Sequence, residues 1–246
     1  MKDSKFYFKK FSLAHSKSAL KIGTDSVLLS AAVPITNAQR ILDIGCGCGV
    51  ILFCLAQKLQ ATEENEIQTF IGIDIDEKSV VEALENRNSY PKLSNQKIDF
   101  EKVSLQAFAP TDVEKFDLIV SNPPYFGGSL LSPKESNCVS KHRDANLSFS
   151  DLVAGVDKLL SDKGSFFLIL PVSEMELFRT EISKTEMKLF YEMWVEPIEG
   201  KSPNRVICGF SRIEMPLQKC NIAIRKEDKT YHSDYIKLTQ EFYLHF

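Results

Sequence analysis

ILDIGCGCG, residues Ile41 to Gly49, is an apolar run that turns on glycines at alternate positions, and apolar residues dense enough for a helix follow through about Leu59. A strand, a glycine turn and a helix in that order open a βαβ unit. Glycine lets a ligand approach the backbone where a side chain would block it. The dinucleotide fingerprint G-x-G-x-x-G meets a pyrophosphate at the helix N-terminus. Here the spacing is G-x-G-x-G, and Asp43 precedes the first glycine by two residues. A carboxylate sits badly beside a phosphate and suits a ligand that carries an ammonium group.

Outward from that turn, strands are predicted at 40–44, 69–74, 98–103, 115–121 and 164–170, with helices at 79–88 and 147–160 between them. This alternation means parallel strands in one sheet with helices on both faces. A helix over 174–184 then precedes two more strands, 190–196 and 205–213, joined by a short polar loop as an antiparallel hairpin at the sheet edge. Seven strands result. Thr24-Asp25 starts a short helix over 26–32, and residues 1–22 form a hairpin or arm packed ahead of it. The polar stretch 61–68 is a loop, and an aromatic helix over 235–244 packs back onto the body. The chain, 1–246, is read as one domain.

S-adenosylmethionine fits the turn, because it carries an amino-acid moiety, a sulfonium and a ribose but no phosphate. Gly45, Gly47 and Gly49 would allow its close approach, with Asp43 beside them. Asp74, at the carboxyl end of the second strand, is positioned to accept from the ribose hydroxyls, as the acid does in dinucleotide folds. Asp43, the glycines and Asp74 together resemble motif I of the class I methyltransferases. That resemblance implies a Rossmann-like, doubly wound α/β fold and S-adenosylmethionine as the cofactor.

SNPPYF, Ser121 to Phe126, ends the fourth strand. Proline cannot continue a sheet ladder, and the residue before it is held extended. Asn122 is therefore fixed at the edge where open α/β sheets bind ligands. An exocyclic amine is a poor nucleophile while its lone pair is delocalised. If the Asn122 amide oxygen and the Pro123 carbonyl each accept one of its hydrogens, the nitrogen can pyramidalise toward the methyl donor. Tyr125 offers a flat face for a flipped-out base.

The tetrad Asn122-Pro123-Pro124-Tyr125 resembles motif IV of the amino-methylating enzymes. The leader FSLAHSKSALKIGTDSVLLSAA (11–32) and the tail YHSDYIKLTQEFYLHF (231–246) further resemble the bacterial tRNA (adenine-N6)-methyltransferases that act on a valine tRNA. The resemblance spans nearly the whole chain and implies methylation of the adenine beside the anticodon. It implies that Lys21 and Thr24 line the cofactor end, and that Lys141-His142 matches the basic step after motif IV. Many relatives carry an aspartate for the cofactor's adenine where this chain has Ser104.

A net charge of −3 and a pI near 5.9 exclude a polycation, so tRNA contact requires a local patch. The loop residues Arg143, Lys201 and Arg205, with Lys141 and His142, are the candidates. Lys2, Lys5, Lys9 and Lys10 form a second basic set among aromatics. The six cysteines contain no C-x-x-C pair and the four histidines no H-x-x-x-H pattern, so no metal is expected. Reduced thiols and the absence of a signal peptide or long apolar run predict a soluble, cytoplasmic protein, with a monomer favoured. Two other readings share parts of this pattern. Glutamine N5-methylation of a release factor uses the same tetrad, but that family carries a helical amino-terminal domain. A non-enzymatic nucleotide- or RNA-binding module would not need the tetrad.

Overall fold

Alternate residues of the central strands face opposite ways into two separate apolar cores. Ile41, Leu118, Val120, Phe167 and Ile169 enter one; Leu42, Ile44, Ile119, Phe166 and Leu168 enter the other. Strands apolar on both faces must lie between two layers of helices. A computed structural model of the chain describes residues 5–35, 38–59, 68–90, 96–109, 114–124 and 147–246. The strands are β1 (Lys5–Tyr7), β2 (Ser12–Ala14), β3 (Arg40–Ile44), β4 (Gln68–Asp74), β5 (Gln96–Lys102), β6 (Phe116–Ser121), β7 (Leu160–Pro171), β8 (Lys188–Ile198), β9 (Arg205–Ser211) and β10 (Gln218–Arg225). The helices are α1 (Thr24–Ala32), α2 (Val50–Leu59), α3 (Glu77–Ser89), α4 (Leu105–Phe108), α5 (Phe149–Leu159), α6 (Met175–Ile182) and α7 (Ser233–Thr239). Side chains of α1, α2, α3 and α7 reach the first core, and those of α4, α5 and α6 the second.

The main sheet has the order β10-β8-β9-β7-β6-β3-β4-β5. From β7 to β5 neighbouring strands are parallel, and β9 is antiparallel to both β7 and β8. The sequence predicts seven strands with the hairpin at the edge. The sheet has eight, because β10 adds in parallel beyond β8. Its first four residues, Gln218 to Asn221, are exposed, so the apolar signal is confined to Ile222-Ala223-Ile224. An edge strand facing water on one side lacks the continuous apolar run that marks a central one. The loop expected over 61–68 lies outside the described residues except Gln68, which begins β4. The tail helix is shorter than expected, since Phe8 and Tyr243 pair as a strand bridge that pulls the chain out of helical register.

The leader is strapped to α3 by two buried side chains. Glu82 accepts from the main-chain N–H groups of Lys17 and Ser18 at 2.9 and 2.8 Å and from the Ser16 and Ser18 hydroxyls. Asn86 exchanges both amide bonds with Ala14 and also donates to the Cys48 carbonyl, at 3.1 Å. The leader is thereby tied to the glycine turn. Burial pushes the Glu82 carboxyl up, but the donors from Lys17 and Ser18 outweigh it and hold it below the ordinary range. Glu82→Ala leaves those donors unpaired and is expected to cost about 3 kcal/mol of stability in urea unfolding. Since the folded carboxyl titrates below the unfolded one, its contribution is complete above the ordinary glutamate range. It is lost as pH falls through the depressed folded value.

Candidate active site

β4 and β5 lie on one side of β3, and β6 and β7 on the other, so the strand order reverses between β3 and β6. In open α/β sheets that reversal leaves a crevice at the carboxyl ends of the strands, where ligands bind. Ile44, the last residue of β3, is in register with Ser121, the last of β6, and the Ser121 hydroxyl donates to the Ile44 carbonyl at 2.8 Å. The glycine turn and Asn122 therefore leave the sheet side by side.

The turn spends its N–H donors mostly on β4. Gly45 and Cys46 both donate to the Ile73 carbonyl, Gly49 to that of Cys46, and Gly47 to the Asp74 carboxylate at 2.9 Å. N–H groups spent this way cannot cradle a pyrophosphate, which sets this turn apart from a dinucleotide fingerprint. At Gly47, φ is +54° and a Cβ would meet nothing, so the turn is open on the crevice side. Gly49 differs: a Cβ there would strike the Phe100 ring at 2.6 Å and that of Phe53 at 2.8 Å. Gly49 faces the core and is needed for packing rather than for ligand approach.

Asp43 is fully buried on β3, and neither carboxylate oxygen has a hydrogen-bond partner. Burial first, then the nearby Asp74 charge, pushes its carboxyl well above the ordinary range. An orphaned acid of this kind fits a cationic group brought by a ligand. Asp74 is also raised, chiefly by burial, although its oxygens accept from Gly47 and Asp76. Burial likewise pushes up the Cys46 and Cys48 thiols, the latter to about 12, so neither supplies a thiolate. Among the described residues no group of three or more His, Cys, Asp or Glu side chains can hold a metal. No described helix is long and apolar enough to cross a membrane.

Asn122 is half-buried between the strand end and α1, and its amide nitrogen donates to the Ser26 hydroxyl at 3.0 Å. In a planar amide this turns the oxygen away from α1. Ser26 was not distinguishable in the sequence as a partner of Asn122. Pro123 is buried and Pro124 half-buried; Tyr125, Lys141, His142 and Arg143 lie outside the described residues.

The remaining candidates divide. Ser104 caps α4, accepting from the Ala107 N–H at 3.2 Å, at the carboxyl end of β5 and so on the crevice edge. Lys21 donates to the carbonyls of His15, Ser16 and Ser18 and holds the leader's turn closed. Thr24 begins α1 and borders a separate aromatic cavity. Arg205 is paired with Asp25 at 2.9 Å and also bonds the Asn204 carbonyl, tying β9 to α1, whereas Lys201 is exposed on the loop after β8. Lys201 is thus the more exposed of the two, while Arg205 is half-buried and paired.

The methyltransferase-domain family matches residues 35–229. The chain is 35% identical over 239 residues to a tRNA1(Val) (adenine(37)-N6)-methyltransferase of Bacteroides fragilis, covering 97% of each chain. It is 33% identical to the protein of that name from Pasteurella multocida over 100% of this chain and 99% of that one. A predicted O-methyltransferase from Agrobacterium tumefaciens superimposes with a TM-score of 0.62 at 15% identity, covering 89% of this chain and 96% of that one. A methyltransferase from Pyrococcus furiosus does so with a TM-score of 0.54 at 18% identity, covering 80% and 86%. These two structures share the fold.

Proposed function

The chain belongs to the bacterial tRNA (adenine-N6)-methyltransferase family, and we propose that it transfers a methyl group from S-adenosylmethionine to N6 of adenine 37 in a valine tRNA. The observation that carries the reading is the pairing of two features at one reversal of strand order. A glycine turn with a buried orphaned acid lies on one side, and Asn122, oriented by Ser26, lies on the other.

When bound, S-adenosylmethionine supplies an electrophilic methyl on a sulfonium. Asp43 would face its cationic amino-acid end, Gly45 and Gly47 would allow close approach, Asp74 would accept from the ribose hydroxyls and Ser104 would border the adenine. The Asn122 amide oxygen and the Pro123 carbonyl accept the two N6 hydrogens, so that the nitrogen lone pair leaves conjugation and aims at the methyl. Transfer breaks the methyl–sulfur bond and leaves S-adenosylhomocysteine, and the four-coordinate cationic nitrogen then loses one of its two protons to water. Neither acceptor is basic enough to keep it, so the residues act by orientation. Tyr125 is proposed as the stacking face for the flipped base, and Lys141, His142 and Arg143 as RNA contacts. The enzyme is further proposed to act in the cytoplasm as a single-domain monomer needing no metal.

Lys201→Ala is expected to raise the KM for tRNA and lower the salt slope of binding by about one, with cofactor affinity unchanged. An unaltered slope in salt titrations would mark Lys201 as a solvated loop tip. Arg205→Ala should instead loosen α1 through loss of the Asp25 pair. The reading as a whole is tested by nucleoside analysis of tRNA from a deletion strain. N6-methyladenosine should disappear and return with the wild-type gene, and persistence of the modification would overturn the assignment.

A further inference from the structure

The aromatic tail is not consumed by the methyl-transfer site. Tyr231 pairs back onto Arg225 as a strand bridge, and the Arg225 guanidinium lies 4.3 Å from the centroid of the Tyr231 ring. Tyr231 and Tyr235 stack at 5.4 Å and 17°, and Phe246 stands edge-on to Tyr231 at 5.5 Å and 85°. With Tyr243 and Phe6 these rings line a cavity of about 590 Å³, bordered by Gly23 and Thr24 of the chain entering α1, by Pro197 and by His245. The volume is within the range of small-ligand pockets, about 300–1,000 Å³.

Resting on the tRNA reading above, we propose that this cavity is a second base site, which takes an unpaired nucleoside of the tRNA flanking the target adenine. The flanking base stacks on the exposed face of Phe246, which Tyr231 supports edge-on, and its phosphate meets Arg225. Two observations support an RNA occupant over a gap in tail packing. A satellite core would be walled by apolar side chains alone, whereas here Arg225 and His245 share the wall with Ile22 and Ile224, and Phe246 is 42% exposed. The turn after β10 balances exposed Lys226 and Lys229 against Glu227 and Asp228, so the phosphate contact is assigned to Arg225 alone. Finally, Thr24 stands on the helix whose Ser26 holds Asn122, two residues or about 3 Å farther along the axis. Cavity and catalytic amide thus lie on one edge of the sheet, joined by one rigid element. Stacking on aromatic faces is sequence-tolerant, so this site fixes the register of the RNA and leaves base identity to the methyl-transfer site.

The test uses an anticodon stem-loop RNA with 2-aminopurine at each unpaired position flanking the target in turn. Binding to the wild-type protein should quench one of these positions. Phe246→Leu keeps apolar bulk but removes the flat face. It should abolish that quench and raise the KM for RNA about tenfold, with S-adenosylmethionine affinity and kcat at saturating RNA unchanged. Wild-type affinity and quenching in both Phe246→Leu and Tyr231→Leu would overturn the proposal. So would crosslinks to the wild-type protein from 4-thiouridine-substituted RNA that map wholly outside residues 6, 22–24, 197 and 224–246, a result independent of any variant's folding. Failure of the wild-type protein to methylate tRNA would instead remove the tRNA reading itself.

Discussion

Asn122→Ala is expected to bind S-adenosylmethionine with wild-type affinity and to transfer methyl about a hundred- to thousandfold more slowly. The loss is that of one preorganised acceptor acting only as the transition state forms. The Asn122 side chain is tied to the fold by the bond that its amide donates to Ser26 on α1. Truncation therefore removes little of the fold. Asn122→Asp separates geometry from charge: it keeps an acceptor oxygen but sets a carboxylate beside the sulfonium, and should bind cofactor while transferring slowly. Ser26→Ala should lower kcat by about tenfold with little change in KM, because the amide loses its anchor but not its oxygen. Ser26→Thr, which keeps the hydroxyl, should recover most of that rate, an outcome a purely structural serine would not give.

The second large effect is expected at Asp74. Loss of a charged acceptor for the ribose hydroxyls costs about 1.5–3 kcal/mol, or about ten- to a hundredfold in cofactor affinity. The same carboxylate also accepts from Gly47 and Asp76, so Asp74→Ala frees two donors and loosens the turn that the cofactor must approach. Its effect should therefore lie at the upper end of that range, and Asp74→Asn, which retains one acceptor, well below it. Calorimetric titration distinguishes the two, and an unchanged affinity for Asp74→Ala would remove this acid from the site. Because burial raises both Asp43 and Asp74, cofactor affinity should begin to fall on acidification at a higher pH than ordinary carboxylates would cause.

What the sequence made legible was local. The glycine turn, the acid after β4 and the proline stop after β6 each declare themselves within a few residues, and the alternation of strands and helices predicts the parallel core. What it concealed was contact across long separations. Ser26 and Asn122 are 96 residues apart, and Asp25 and Arg205 are 180 apart, so no periodicity links them. Glu82 reads as a helix-surface acid until the leader is seen wrapped round it. Arg205 reads as an RNA contact because a basic residue at the ligand edge is normally solvated, and nothing in the sequence near it announces the pair with Asp25. The strand at 218–225 was missed because half its side chains are those of a solvated edge.

The central claim is that Asn122, held at the strand reversal beside the glycine turn, presents adenine N6 of tRNA to the methyl donor. Single-turnover transfer of labelled methyl from S-adenosylmethionine to unmodified valine tRNA, followed by nucleoside analysis, tests it most directly. The account predicts N6-methyladenosine as the labelled product with the wild-type protein, and the same product formed about two to three orders of magnitude more slowly with Asn122→Ala. Label appearing at wild-type rate with Asn122→Ala, or in a glutamine of a release factor and not in the tRNA, would contradict it.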